Sequence, residues 1–101
     1  MTMRERDLQE TIRQAASLLG YRAYHTYDSR RSPEGFPDLV IVGHGELFIW
    51  ELKSEKGGLT NAQAGWINEL RNVNGPPHVE VVRPTDLDRC LALLQANHRN
   101  R

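Results

Sequence analysis

Two apolar segments that flank a Gly-His-Gly turn constrain the fold of this chain more than any other feature. The first segment is PDLVIV at residues 37–42, and the second is ELFIWELK at residues 46–53. Short runs rich in β-branched and aromatic residues are typical of strands, and a glycine-containing turn between them is typical of an antiparallel hairpin. The sequence therefore predicts a β-hairpin over residues 37–53.

The remaining sequence predicts helices and further strands on either side of this hairpin. Gly20 ends the apolar periodicity of the first helix, and Thr60 and Thr85 are suited to cap the second and third. The helices are predicted at about residues 4–19, 61–72 and 84–97, and the strands at residues 21–27, 37–42, 46–53 and 78–82. The order αβββαβα, with a helix between the last two strands, favours an α/β (α+β) fold with a mixed four-stranded sheet flanked by helices.

Length and composition indicate one globular domain over residues 1–101, with residues 96–101 as a frayed tail. The contents of 39% hydrophobic and 26% charged residues are ordinary for such a domain. The sequence has no apolar run near ~20 residues and no apolar signal core, so we expect neither a membrane span nor secretion. The single cysteine and the lack of a signal core fit a reducing, cytoplasmic location. The net charge of zero argues against nonspecific electrostatic binding, although local basic patches stay possible.

Two acidic residues and a lysine lie within the predicted hairpin. A two-residue turn at residues 44–45 places Asp38 directly opposite Glu51, and a four-residue loop over residues 43–46 gives the same register. Lys53 shares their face because side chains alternate along a strand. Facing residues have Cβ atoms about 4.5–5.5 Å apart, so the two carboxylates repel each other, more strongly if they are partly buried. A cation such as Mg²⁺ would remove this repulsion, with the peptide carbonyl of Leu52 as a further ligand. The alternative is a solvated, salt-bridged face of the sheet.

Two polar residues on the predicted helices are further candidates for this site. Glu5 falls beside the apolar stripe of the first helix, where a carboxylate needs a partner, although an acid in the first turn is also favoured by the helix dipole. Gln63 lies among the apolar residues of the second helix. Its amide must therefore find hydrogen bonds, either with the backbone or within the site.

Basic residues in two loops are candidates for contacts with phosphate groups. Arg30 and Arg31 lie in the loop before Asp38, and Lys56 precedes two glycines whose N–H groups can bind phosphate. A solvated surface loop is the alternative interpretation for all three residues. The sequence has no Ser-His-Asp order, no glycine-rich phosphate loop and no histidine spacing typical of metal ligands.

The residues Pro37, Asp38, Glu51 and Lys53 resemble the signature of PD-(D/E)XK nucleases. The wider pattern is similar to the virus-type replication-repair (VRR-Nuc) branch of that superfamily, over nearly the whole chain and with no departure at the motif positions. The matching stretches are Glu5 with Leu8 and Gln9, Gly20, GFPDL, WELKSEKGGLTNAQAGWINEL and VVRPTDLDRCLALL. This resemblance implies a restriction-endonuclease-like fold and a DNA endonuclease that depends on Mg²⁺ or Mn²⁺.

The resemblance also implies a role for each candidate residue by its position. Asp38 and Glu51 would bind the metal together with the Leu52 carbonyl, and Glu5 would act through water or as an outer ligand. Lys53 would orient or help to deprotonate the attacking water. Gln63 would contact the site or the substrate backbone.

At the level of the whole protein, the resemblance implies a stand-alone nuclease of the phage or bacterial type. Such proteins resemble structure-specific nucleases that pair as homodimers on branched DNA, such as a four-way (Holliday) junction. Two alternatives stay open: a catalytically silent nucleic-acid-binding or assembly module on the same fold, and a small sequence-specific restriction-type endonuclease. The complete set of site residues favours activity, and the short chain leaves little room for a base-reading domain.

Overall fold

In the computed structural model, which describes residues 3–26 and 33–99, the predicted hairpin lies at the centre of a mixed four-stranded sheet. The elements in chain order are α1 (Glu5–Leu18), β1 (Arg22–His25), β2 (Leu39–Gly43), β3 (Glu46–Leu52), α2 (Asn61–Arg71), β4 (His78–Val82), a 3₁₀ turn (Pro84–Asp86) and α3 (Leu87–Arg99). This order and the mixed sheet confirm the fold class predicted from the sequence. Within the described residues, no helix combines the length and apolarity needed to cross a membrane.

The hairpin has the register that the sequence predicts. The strands are ordered β1-β2-β3-β4, antiparallel except for the parallel pair β3–β4, and Gly43 pairs with Glu46. His44 and Gly45 form the turn with φ values of 51° and 78°, as expected for a two-residue turn that needs positive φ at both positions. A contact of 2.7 Å between His44 Nε2 and the carbonyl oxygen of Leu19 holds the histidine in this conformation.

The sheet is covered on both faces, but unequally. Helices α1 and α3 pack on one face and α2 packs over β3 and β4 on the other, where a smaller cluster consists of Ile49, Ile67 and Val79. The larger cluster comprises Leu8, Ile12, Ala16, Tyr21, Leu39, Ile41, Phe48, Trp50, Leu52, Val82, Cys90 and Leu94. Since β3 is buried on both faces, a charged side chain at its end is largely removed from solvent.

The buried face of α2 differs from the predicted one. Ile67 is the buried residue of this helix, whereas Leu59 and Val73 are 38% and 47% exposed. The sequence predicts an apolar stripe over the whole helix, made of Leu59, Ala62, Trp66, Leu70 and Val73. In the structure α2 covers only part of the sheet face, so the ends of the stripe have no surface to pack on.

The C-terminal region also departs from the prediction. Thr85 does not cap α3 directly, because a 3₁₀ turn precedes the helix and Asp86 Oδ2 accepts a hydrogen bond of 2.9 Å from the Arg83 N–H. The helix extends to Arg99, so residues 96–99 are helical rather than the start of a frayed tail. The buried side chain of Leu94 anchors this part of the helix against the core.

The segment that leads into β2 is fixed against α2. Gly35 has a φ of +89°, and a Cβ at this position would lie 2.5 Å from the carbonyl carbon of Ala62. Trp66 donates a hydrogen bond of 3.1 Å from Nε1 to the carbonyl oxygen of Glu34, and its ring contacts that of Phe36 edge-on at 5.0 Å. Glycine at position 35 therefore permits the backbone before β2 to approach α2 closely.

Replacing Gly35 with alanine should destabilise the fold. The substitution combines an unfavourable φ with a clash against helix backbone, so we expect a loss of at least about 2 kcal/mol in the free energy of unfolding, measured in urea. Gly65→Ala is the matched control, because a Cβ there contacts nothing and alanine is favoured inside a helix by roughly 0.5–1 kcal/mol. Equal stability of Gly35→Ala and the wild type would contradict this view of the loop.

Candidate active site

Asp38 and Glu51 lie side by side at the open end of the hairpin. Asp38 directly precedes β2, so the hairpin register continued by one residue places it opposite Glu51. Glu51 is only 2% exposed, and Asp38 is partly buried. The Asp38 carboxylate accepts a hydrogen bond of 2.8 Å at Oδ2 from the N–H of Leu52, the residue after Glu51. The two acids therefore share one site, as the sequence predicts.

Burial and proximity raise the pKa values of both acids. Burial is the main cause at Glu51, followed by the charge of Asp38 and a hydrogen bond with it, and together they raise the pKa of Glu51 to about 8. Burial also raises the pKa of Asp38, opposed by the hydrogen bonds from Leu52 and Glu51. Two neighbouring carboxyl groups of this kind titrate as a pair, so near neutral pH the pair retains a proton unless a cation compensates its charge.

Gln63 joins the beginning of α2 to this pair of acids. Its side-chain Oε1 accepts a hydrogen bond of 2.9 Å from the Thr60 N–H, and its own N–H donates to Thr60 Oγ1 at 3.1 Å, which forms a capping box. The Nε2 group of the same side chain donates to Glu51 Oε2 at 3.0 Å. Both interpretations left open by the sequence are therefore correct: the amide binds backbone and also enters the site.

Lys53 provides the positive charge beside the acids. Its Nζ lies 3.9 Å from Glu51 Oε2, and its side chain is 13% exposed. That distance is too long for a hydrogen bond, so the lysine is a neighbouring cation rather than a tight partner. Its backbone N–H donates to the Val82 carbonyl at 3.0 Å, which extends the β3–β4 pairing by one residue.

The oxygen atoms at this site fit a hard divalent cation. Among the described residues, Glu51 Oε1 is a buried oxygen without a hydrogen-bond partner, which is costly unless a ligand compensates it. The Leu52 N–H points toward Asp38, and in an extended strand the carbonyl of the same residue faces the same side. Two carboxylates and one carbonyl form a donor set suited to Mg²⁺, which keeps several water ligands.

Glu5 does not join Asp38 and Glu51 in a ligand cluster. Within residues 3–26 and 33–99, no three His, Cys, Asp or Glu side chains form a group that could hold a metal ion, and Glu5 itself is exposed. This differs from its predicted place beside the packed stripe. Its charge nevertheless adds to the effect of burial in raising the pKa values of both acids. A role for Glu5 through water stays a prediction.

Arg83 supports the loop after Lys53, and the sequence interpretation missed it. Its Nη1 donates to the carbonyl oxygens of Ser54, Glu55 and Gly57 at 2.6, 3.2 and 2.7 Å. The loop therefore has a defined shape next to the acids. A sequence signal for this role existed: parallel strands end at the same edge of a sheet, so a basic residue directly after β4 lies near the end of β3.

Of the three predicted phosphate-binding residues, Lys56 lies within the described part of the structure. Lys56 is exposed on the loop that Arg83 holds, and its contact with phosphate stays a prediction. Arg30 and Arg31 lie outside the described residues.

Comparison with known proteins bears on the fold. No protein-family model and no curated protein matches this chain. A solved VRR_NUC domain is similar to it, with a TM-score of 0.69 and 21% sequence identity, over 87% of this chain and 94% of that domain. The chain therefore has the VRR_NUC fold. This confirms, at the level of fold, the similarity to VRR-Nuc domains that the sequence indicates.

A second solved structure, Hjc, a Holliday junction resolvase from the archaeal hyperthermophile Archaeoglobus fulgidus, is less similar to this chain. Its TM-score is 0.49 and its sequence identity is 24%, over 79% of this chain and 65% of that protein. In this chain the hairpin register brings the two acids together, and α2 adds Gln63 beside them.

The raised pKa of Glu51 predicts how stability depends on pH. Its folded-state pKa of about 8 exceeds the ordinary 4.5, so the stabilising effect of its protonated form is complete below 4.5 and is lost as pH rises through 8. The Glu51→Gln substitution keeps the shape of the side chain but removes its titratable carboxyl group. In EDTA, we expect the variant to gain stability over wild type between about pH 5 and about pH 9, measured by urea unfolding.

The matched control for this measurement is Glu69→Gln, at an exposed position of α2. It should follow the wild-type pH profile. A wild-type protein that gains stability over Glu51→Gln as pH rises would show that the buried pair is not strained when ionised.

Proposed function

We propose that this protein is a DNA endonuclease that depends on a divalent metal ion and hydrolyses phosphodiester bonds. The observation that carries the proposal is the buried Asp38–Glu51 pair, with Lys53 beside it, on the VRR_NUC fold. Burying two carboxylates together costs stability, so the arrangement makes physical sense when a cation uses it. A catalytically silent module would gain stability from an amide or apolar residue at position 51.

The donor set described above assigns the ligands of the metal. Asp38, Glu51 and the Leu52 carbonyl would hold Mg²⁺ or Mn²⁺, and Glu5 would contribute through water. When bound, such an ion would lower the pKa of water and offset negative charge on the phosphate. The orphaned Oε1 of Glu51 would then have a partner, and the repulsion between the acids would be removed.

Other residues of the chain would prepare the site for the reaction. The position of Lys53 beside Glu51 suits it to orient the attacking water and to stabilise negative charge that develops on the scissile phosphate. Gln63 fixes Glu51 by its hydrogen bond, and the Leu52 N–H fixes Asp38. Catalytic geometry would therefore be established before the substrate binds, which avoids a reorganisation cost during the reaction.

The finer features of the function rest on the resemblance seen in the sequence. We propose that the protein acts as a homodimer on branched DNA, with two active sites related by a two-fold axis. Lys56, Arg30 and Arg31 would contact the phosphate backbone. A single domain of this size offers a small contact surface for DNA by itself, which favours the pairing of two copies.

Loss of either acid should abolish cleavage. Purified Asp38→Asn and Glu51→Gln should cut DNA more than about a hundredfold more slowly than wild type, beyond the loss typical of outer-sphere residues. The assay compares four-way, flap and linear DNA in Mg²⁺ or Mn²⁺, with EDTA as the metal-free arm. Glu69→Gln is the control and should cleave like the wild type.

Each outcome of this assay separates one part of the proposal from the others. Cleavage retained by Asp38→Asn would refute the metal assignment. Equal cutting of all three DNAs by the wild type would refute the branched-DNA preference while leaving the nuclease. A wild-type protein that binds these DNAs but cuts none of them in either metal would favour the silent binding module.

A further inference from the structure

One part of the sheet surface next to the two acids is not covered by any helix of residues 3–26 and 33–99. Helix α2 packs over β3 and β4, and on the same face the neighbouring strands β1 and β2 expose Tyr24 and Val42, at 56% and 44%. Ala23, which alternates with these positions, points to the opposite face and packs against the large core. The outward-facing row of β1 in this region is Arg22 and Tyr24, both exposed.

This exposed row leads directly to the candidate active site. Tyr24 pairs with Val40 of β2, and two residues further on Thr26 donates its N–H to the Asp38 carbonyl at 2.8 Å. At a rise of about 3.3 Å per residue, Tyr24 lies roughly 7 Å and Arg22 roughly 13 Å from the position of Thr26. The surface is therefore continuous with the site, at distances of one to a few nucleotides along a DNA strand.

The chemistry of the row matches an unpaired stretch of nucleic acid. An exposed aromatic ring on an open sheet can stack on a base, and a neighbouring arginine can bind the backbone phosphate. Paired bases are already stacked within a duplex and do not offer their faces to such a ring. Apolar side chains around the ring, chiefly Val40 and Val42, suit the flat face of a base better than they suit a phosphate backbone.

We infer that Tyr24 and Arg22 form a binding site for unpaired nucleotides of the substrate, adjacent to the Asp38–Glu51 pair. Tyr24 stacks on an unpaired base and Arg22 binds the phosphate beyond it. The inference rests on the proposed nuclease function and adds a structural reason for preferring branched DNA with an unpaired arm: a flap supplies unpaired bases next to a scissile phosphate.

Binding without cleavage tests this inference separately from the nuclease activity. In EDTA, fluorescence anisotropy would measure the affinity of the protein for a flap DNA with an unpaired arm and for a fully paired linear duplex. Tyr24→Leu should bind the flap about tenfold more weakly, the loss expected for one stacked base, and should bind the duplex like the wild type. Tyr24→Phe keeps the ring and should bind both DNAs like the wild type.

Two further variants make the test specific. Arg22→Gln should reduce the slope of log affinity against log salt on the flap by about 0.7, the value for one phosphate contact on a single strand. Leu18→Ala is the control for loss of an exposed apolar side chain. Leu18 is 88% exposed, and its helix α1 packs on the sheet face opposite to Tyr24. This substitution should not change either affinity.

The outcomes distinguish failure of this inference from failure of the proposed function. If Tyr24→Leu binds the flap like the wild type, or loses equal affinity for flap and duplex, the inference is overturned even if the wild type cuts DNA. A change of oligomeric mass in Tyr24→Leu, measured by light scattering, would instead show that the row contacts a second protein copy and would also overturn it. A wild type that cuts no DNA would refute the nuclease while the binding result still stands.

Discussion

The contact between two buried carboxyl groups is the constraint on which the rest of this site depends. Glu51 lies on a strand that is covered on both faces and paired on both edges, so its side chain cannot turn to water. Asp38 is held against it by the Leu52 N–H. The result is a pair with raised pKa values and one oxygen without a partner, which is an unfavourable arrangement for an isolated protein and a favourable one for binding a cation.

The surrounding structure keeps this pair in place through a few specific contacts. Gln63 uses one side chain to cap α2 and to bind Glu51, so the helix cannot shift without disturbing the acid. Gly35 permits the loop before Asp38 to pack closely against the same helix. Arg83 donates hydrogen bonds to three carbonyl groups of the loop after Lys53. These contacts come from segments far apart in the sequence, which is why the site forms only in the folded protein.

The parts of this structure that depend on local sequence were predictable. The two-residue turn set the hairpin register and therefore the position of Asp38 opposite Glu51, and the Thr60 cap followed from a short local motif. Features that depend on packing between distant segments were not. Examples are the support that Arg83 gives to the loop and the exposure of Glu5, since a helical wheel gives the direction of a side chain but not what lies beside it.

The most direct test of the account is a crystal soaked with Mn²⁺ and examined for anomalous scattering. The account predicts one strong peak between the carboxylate oxygens of Asp38 and Glu51, within coordination distance of the Leu52 carbonyl. The same soak of Glu51→Gln should show no peak there. A wild-type crystal with no anomalous density between the two acids, or with density only elsewhere on the molecule, would contradict the claim that this buried pair exists to bind a metal ion.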